Sequence, residues 1–231
     1  MIILDGRDNL ENNLFSQLSS YWGKYDTALI REGVDATLDR LDTIFQCLNK
    51  RTNKYIWKQA YEPEFSPYNS VQYSIFLYLL SNSIYNRGGM TREADIIYYL
   101  NKIMHSCDWY YPIELPAVFY AEHPVGSVMG RAKYGDRFFF YQGCTVGGQR
   151  NKQGTINYPE IGNNVLMYAH SSIIGNAKIG NNVIISAGCM VKNDVVPDNA
   201  LVFGSSPNLI IKIKEAEEIR EKQRSIWTEF E

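Results

Sequence analysis

The chain has 231 residues, 45% of them hydrophobic, and a net charge of −2. That is enough apolar material for one good core or two modest ones. The near-neutral balance gives no reason to expect nucleic acid or an anionic membrane as partner. No apolar run approaches the roughly 18 residues of a membrane span. The start, MIILDGRDNLENN, lacks the basic and long apolar regions of a signal peptide, so a cytoplasmic location is expected. Cys47, Cys107, Cys144 and Cys189 are scattered, with no CxxC and no metal-ligand spacing. They read as reduced, mostly buried thiols.

Helical periodicity dominates the first half. Val34, Leu38, Leu41, Phe45 and Leu48 step by four, three, four and three, which makes one apolar helix face. Ser66-Pro67 has the form of an N-cap followed by proline at the first helical position, and the following apolar segment runs to Gly88-Gly89 as a helix terminator. Thr91 then caps a further helix, TREADIIYYLNKIMH. The tyrosines of these segments (Tyr73, Tyr78, Tyr85, Tyr98, Tyr99) are expected to pack a core or an interface rather than form a ligand box. His105, at a helix end, is expected to be dipole-stabilised or partly packed.

After residue 112 the rule changes. Cut every six residues from Ile161, the chain reads IGNNVL, MYAHSS, IIGNAK, IGNNVI, ISAGCM, VKNDVV, PDNALV, FGSSPN. The openers are Ile161, Met167, Ile173, Ile179, Ile185, Val191, Pro197 and Phe203, and small or β-branched residues usually fill the fifth place. This is the signature of a hexapeptide-repeat β-helix, in which three hexads make one coil of 18 residues. Asn163 is then expected beneath Asn181 and Asn199. The same phase extends upstream with openers at Val128, Tyr134, Phe140 and Val146. Fifteen residues separate Val146 from Ile161, which is not a multiple of six, so polar GGQRNKQGTINYPE (147–160) is expected to protrude as a loop. The domains expected are helical over 1–112, β-helical over 113–214 and a charged tail or helix over 215–231.

These stretches resemble the hexapeptide-repeat acyltransferases and, within them, the serine acetyltransferases. GCTVGG (143–148) is similar to the family's glycine-glycine turn before its active-site loop, GSSPNLI (204–210) to its closing coil, and AEHPVGSVMG (121–130) to its Asp-His pair followed by a glycine. The resemblance implies an N-terminal α-helical domain followed by a left-handed parallel β-helix, acetyl-CoA as co-substrate without a metal, and a homotrimer or dimer of trimers. It implies that His123 is the catalytic histidine, with Glu122 in place of the aspartate and Glu114 as the supporting acid. It also implies that Glu62 reaches the acceptor from the helical domain. Asn157-Tyr158-Pro159 stands where the family has Arg-His-Pro. The absent arginine is the residue the family implies for the carboxylate of serine. A sugar or other small polyol, such as a precursor of surface polysaccharide, is therefore the expected acceptor, with serine as the alternative.

The bare chemistry agrees with His123. Acyl transfer from a thioester to a hydroxyl needs a base that is neutral near pH 7, and a carboxylate on the other ring nitrogen fixes the tautomer. Glu114 is the first candidate for that orienting role and Glu122 the second. Tyr141, eighteen residues after His123, is expected to stack beside it, with Asn157 and Tyr158 near the acceptor. Backbone at Gly147 and Gly148 is a candidate oxyanion donor. Ala169, Ser186, Ala187 and Gly188 are small enough to admit the pantetheine arm, and Lys192, Lys212 and Lys214 are candidates for the CoA phosphates. His170 is expected to point outward into solvent. Two other readings remain open: an amine acceptor, as in sugar N-acetyltransferases, and a trimeric interaction module without catalysis. The latter predicts a featureless loop with no base beside it.

Overall fold

A computed structural model describes residues 1–58 and 62–230. It divides into two units: Met1–Ser106 with Tyr110–Pro112 and Ser225–Thr228, and Cys107–Trp109 with Ile113–Arg224 and Glu229–Glu231. The division therefore interleaves around 106–113, and a piece of the 215–231 tail belongs to the first unit, unlike the single cut at 112.

The first unit holds helices α1 (Gly6–Tyr21), α2 (Thr27–Gln46), α3 (Ser70–Gly88) and α4 (Arg92–His105). Side chains of Asp26, Asn69 and Thr91 accept hydrogen bonds from first-turn N–H groups of α2, α3 and α4. The α3 cap is thus Asn69, three residues later than the Ser66-Pro67 reading. Asn69 Oδ1 accepts from the N–H groups of Val71 and Gln72, while the Ser66 N–H donates to Gln72 Oε1 at 2.6 Å and ties the entering segment to the first turn. α3 is buried nearly all round and packs on both α2 and α4. A Cβ on Gly33 would come within 2.9 Å of Leu80, so glycine is what lets α2 approach α3 so closely. Tyr73 and Tyr78 are core residues, and Tyr99 is exposed. His105 is buried, its Nδ1 2.8 Å from Asn101 Oδ1, and burial pushes its pKa down to about 4. Desolvation therefore outweighs the charge-favouring helix end, and the packed role is the one observed.

The second unit is a parallel β-helix of the left-handed type. Its strands stack in three columns. One holds Phe119–Ala121, Phe138–Phe140, Val165–Met167, Val183–Ile185 and Ala200–Ser205. A second holds Asp108–Trp109, Val128–Met129, Thr145–Gly147, Ser172–Ile174 and Met190–Lys192. A third holds Lys133–Tyr134, Glu160–Ile161, Lys178–Ile179 and Val195–Val196. Ile161 pairs with Ile179 and Ile173 with Val191, eighteen residues on in both cases. Phe140 pairs with Met167 and Val146 with Ile173, twenty-seven residues on, so nine extra residues leave the prism between them.

Two parts of the hexad phase need correction. Ile179 pairs with Val196 and Ile185 with Val202, a step of seventeen. The corner at Asn193–Asp194 is one residue short, so Val196 and Val202 face inward where Pro197 and Phe203 were expected. Upstream, Met129 is buried and pairs with Val146, while Val128 is exposed. The asparagine corner shifts accordingly. Asn163 N–H donates to Asn181 Oδ1 and Asn181 N–H to Asp198, whereas the side-chain ladder is Asn164–Asn182–Asn199 at 2.9 Å per rung. Those three asparagines adopt φ of 55, 53 and 56°, the left-handed region their short amides tolerate. The terminal coil is covered by strand Asn208–Ile213, antiparallel to Ala200–Ser205. Helix α5 (Ala216–Gln223) follows, with Gln223 donating to the Asn164 carbonyl at 3.1 Å.

Candidate functional site

The corner Glu122–Ser127 carries His123. Its backbone is tied at several points. Glu122 N–H donates to Phe140 O, Val125 N–H to His123 O, Ser127 N–H to Pro124 O, and Gly143 N–H to Val125 O. The Ser127 hydroxyl, itself accepting from Trp109 Nε1 at 2.8 Å, donates to Pro124 O at 2.6 Å. On this frame His123 adopts φ 50° and stands exposed. Among the described residues its ring has no hydrogen-bond partner. A rigid backbone thus presents an imidazole whose two nitrogens are available.

The carboxylates fall elsewhere than expected. Glu114 is exposed and makes no bond to His123. Glu122 lies beside Tyr141. Burial first, then the charge of Glu122, pushes the Tyr141 pKa up, so this phenol stays protonated. Among the described residues neither glutamate is hydrogen-bonded to the imidazole. Tyr141 stacks on Tyr168 with ring centres 5.5 Å apart and planes 7° from parallel. The step between these first coils is nineteen residues, not eighteen, so Tyr141 falls level with Glu122 rather than with His123. Asp108 does not stand out in the sequence, where the β-helix is expected to begin only at 113. The Asp108 N–H donates to Ser127 O at 2.8 Å, which fastens this aspartate to the His123 corner.

The loop leaves the prism after Gly147, whose carbonyl accepts from Gly175 N–H. It is a hairpin, Gln149–Arg150 against Ile156–Asn157. A Cβ on Gly148 would lie 2.8 Å from Ile156 and from the Tyr158 ring, so the hairpin folds directly onto that glycine. Gln149 Oε1 accepts from Asn193 Nδ2 at 2.8 Å and pins the hairpin to the second coil beyond it. Arg131, unremarked in the sequence, stacks its guanidinium 5.3 Å from the Tyr158 ring centre. Its position beneath Tyr158 follows only from the 27-residue register.

The small residues meet as expected at one corner: Gly188 N–H donates to Ala169 O, and Ser186 N–H to Val202 O, with Ala187 between them exposed. The lysines do not converge. Lys192 lies on the strand column of Ser172–Ile174, Lys212 stands opposite Leu201 with its ammonium over Phe203, and Lys214 is paired with Glu218 at 2.9 Å. Glu62 lies in the helical unit and pairs with the Met1 ammonium at 2.7 Å. Burial raises the Cys144 pKa and pushes Cys189 up to about 11, so neither thiol is prepared as a nucleophile. His170 is exposed at φ 60°. Among the described residues no group of three or more His, Cys, Asp or Glu side chains is placed to hold a metal.

Residues 158–193 match the family described as bacterial transferase hexapeptide (six repeats). The chain is 33% identical over 118 residues to a serine acetyltransferase of Synechococcus elongatus, covering 51% of this chain and 48% of that protein. It is 29% identical over 141 residues to a serine acetyltransferase of Staphylococcus aureus strain Mu50, covering 61% of this chain and 64% of that one. The chain thus spans from about half to just under two thirds of the length of these relatives. Among solved structures, the serine acetyltransferase of Neisseria gonorrhoeae superposes with a TM-score of 0.66 at 22% identity, covering 90% of this chain and 80% of that one. A serine acetyltransferase of Brucella abortus in complex with coenzyme A gives 0.64 at 20%, covering 89% and 82%. Within the β-helix, residues 158–193 therefore carry the hexapeptide repeat of that family, and the chain is similar in sequence and in fold to the serine acetyltransferases.

Proposed function

We propose that this chain is an acetyl-CoA-dependent O-acetyltransferase acting on serine or a close β-hydroxy amino acid. The observation that carries the reading is His123, free and exposed on a hydrogen-bonded corner, in a chain whose relatives are serine acetyltransferases. Those relatives favour the serine alternative over the sugar acceptor expected from the loop. The solved relatives with coenzyme A support acetyl-CoA as the donor.

In this reading the acceptor hydroxyl attacks the thioester carbonyl while His123 takes its proton. The tetrahedral intermediate collapses with cleavage of the C–S bond, and the imidazolium returns the proton to the departing CoA sulfur. Transfer is direct, in keeping with the protonated state of Cys144 and Cys189. Asp108 is the carboxylate we assign to steering the imidazole, in place of Glu114 and Glu122, because its strand is bonded to the same corner. The corner of Ala169, Ala187 and Gly188 leaves room for the pantetheine arm. We read the assembly as at least a trimer. Val195, Ile210 and Ile213, each more than half exposed on the β-helix, are the apolar surface that such packing would cover.

The test is thiol release from acetyl-CoA over a panel of L-serine, neutral nucleotide sugars and an amino sugar. L-serine is expected to give the highest kcat/KM. A neutral sugar turned over well with serine inert would restore the polysaccharide reading, and acetylation of the amino sugar alone would make this an N-acetyltransferase. Light scattering that gave an active 26.5 kDa monomer would remove the trimer.

A further inference from the structure

We propose that Arg131, stacked on Tyr158 at the root of the hairpin, holds the carboxylate of the acceptor. The inference rests on the transferase reading for the identity of the ligand, but its geometry is independent of it. The guanidinium lies 5.3 Å from the Tyr158 ring centre. A cation–π contact with the ring uses none of the guanidinium's N–H donors as a hydrogen-bonded pair and so leaves its fork for a further partner. Arg131 is exposed, and among the described residues no carboxylate pairs with it. The anion beside it in the fold, Glu160, is taken by Lys133 at 3.4 Å. A cation with an unused fork, in a position fixed by the fold, is built to receive a planar anion.

The position is fixed from both sides. Lys133 N–H donates to Pro159 O at 2.9 Å, which sews the segment after Arg131 beneath the end of the hairpin. Tyr158 is in turn pressed against Gly148, where even a Cβ would come within 2.8 Å of its ring. The tyrosine is therefore a platform that aims the guanidinium. Asn157, half-buried in the adjoining strand, adds a second polar group at the same root. The substrate class selected is an acceptor with a carboxylate, which a neutral sugar lacks. Arg131 then does from the coil what the loop, with Asn157-Tyr158 in place of Arg-His, does not do.

The test is calorimetric titration of the full chain, without acetyl-CoA, by L-serine and by L-serinamide, which keeps the hydroxyl and amine but loses the negative charge. Wild type is expected to bind serine roughly 10- to 100-fold tighter than the amide, the range of a charge-assisted hydrogen-bonded pair. Arg131→Gln should abolish that preference and leave amide binding within about twofold, and Arg131→Lys should restore only part of it, since an ammonium offers no fork. Because Arg131 is exposed, the melting temperature of both variants should stay at the wild-type value. A wild type that prefers serine less than about threefold, or an R131Q protein that keeps the wild-type preference, overturns the proposal. Serine preference that R131Q erases, in a protein that never releases CoA from acetyl-CoA, would uphold Arg131 and defeat the transferase reading.

Discussion

His123 and His170 occupy corners of the same β-helix, both exposed and both in the left-handed backbone region at φ 50 and 60°. Their surroundings differ. His170 sits in a short, regular corner where Gly143 lies in the coil before it and Gly188 in the coil after; all three have positive φ, and a methyl on Gly143 would run into the His170 ring. It fills a place that glycine fills elsewhere. His123 lies in a wider corner, three residues before Gly126, which continues that glycine column with φ 73°. The regular corner is thus interrupted by an imidazole next to Glu122, with Tyr141 level with that glutamate and Asp108 fastened to the same turn. Exposure and backbone conformation are common to both histidines; the departure from the repeat is what sets His123 apart.

That contrast can be broken or sharpened by substitution. Short of removing the imidazole itself, the largest effect is expected from Asp108→Asn, at least about tenfold in kcat with little change in the KM for acetyl-CoA, because it weakens the orientation of the base. Glu114→Gln, exposed and unbonded to His123, should leave steady-state kinetics at the wild-type level. Equal losses in both variants would return Glu114 to the orienting role.

The helical unit offers a pH test of a histidine with no catalytic part. His105 has a folded-state pKa of about 4, below the ordinary value of 6.5. The unfolded chain takes up the proton first, so stability present above pH 6.5 is lost as pH falls toward 4, by up to about 3 kcal/mol. Urea melts across that window should show the decline, and His105→Gln should flatten it.

Asn182 comes next. Alanine there loses both rungs of the Asn164–Asn182–Asn199 ladder and is strained at φ 53°, a cost of about 2–3 kcal/mol. Glycine, free of the strain, should cost about 1 kcal/mol. The smallest effect belongs to His170→Gly, expected to stabilise by about 0.5–1 kcal/mol without altering turnover.

The contrast also marks what the residues disclosed in advance. The 18-residue echo of Ile161 and Ile179 was legible because each coil repeats the same inward positions, and the loop at 147–160 was legible as a break in that count. The short corner at Asn193–Asp194 was not, since Pro197 and Phe203 are as apolar as the Val196 and Val202 that face inward. His123 stood out through its neighbours in sequence. Asp108 and Arg131 did not, because their relevance depends on pairings at twenty and twenty-seven residues, set by an irregular first coil and a hairpin of unknown excursion. In the helical unit, α1 went unremarked: its buried Leu10, Leu14 and Leu18 form too thin an apolar face to stand out.

The most direct measurement is acetyl-CoA thiol release with L-serine by two folded variants side by side, His123→Ala and His170→Ala. The account predicts a loss of about 10²- to 10⁴-fold in kcat for the first, with CoA binding retained, and turnover within about twofold of wild type for the second. An H123A protein that folds, binds CoA and transfers acetyl groups at the parental rate would contradict it.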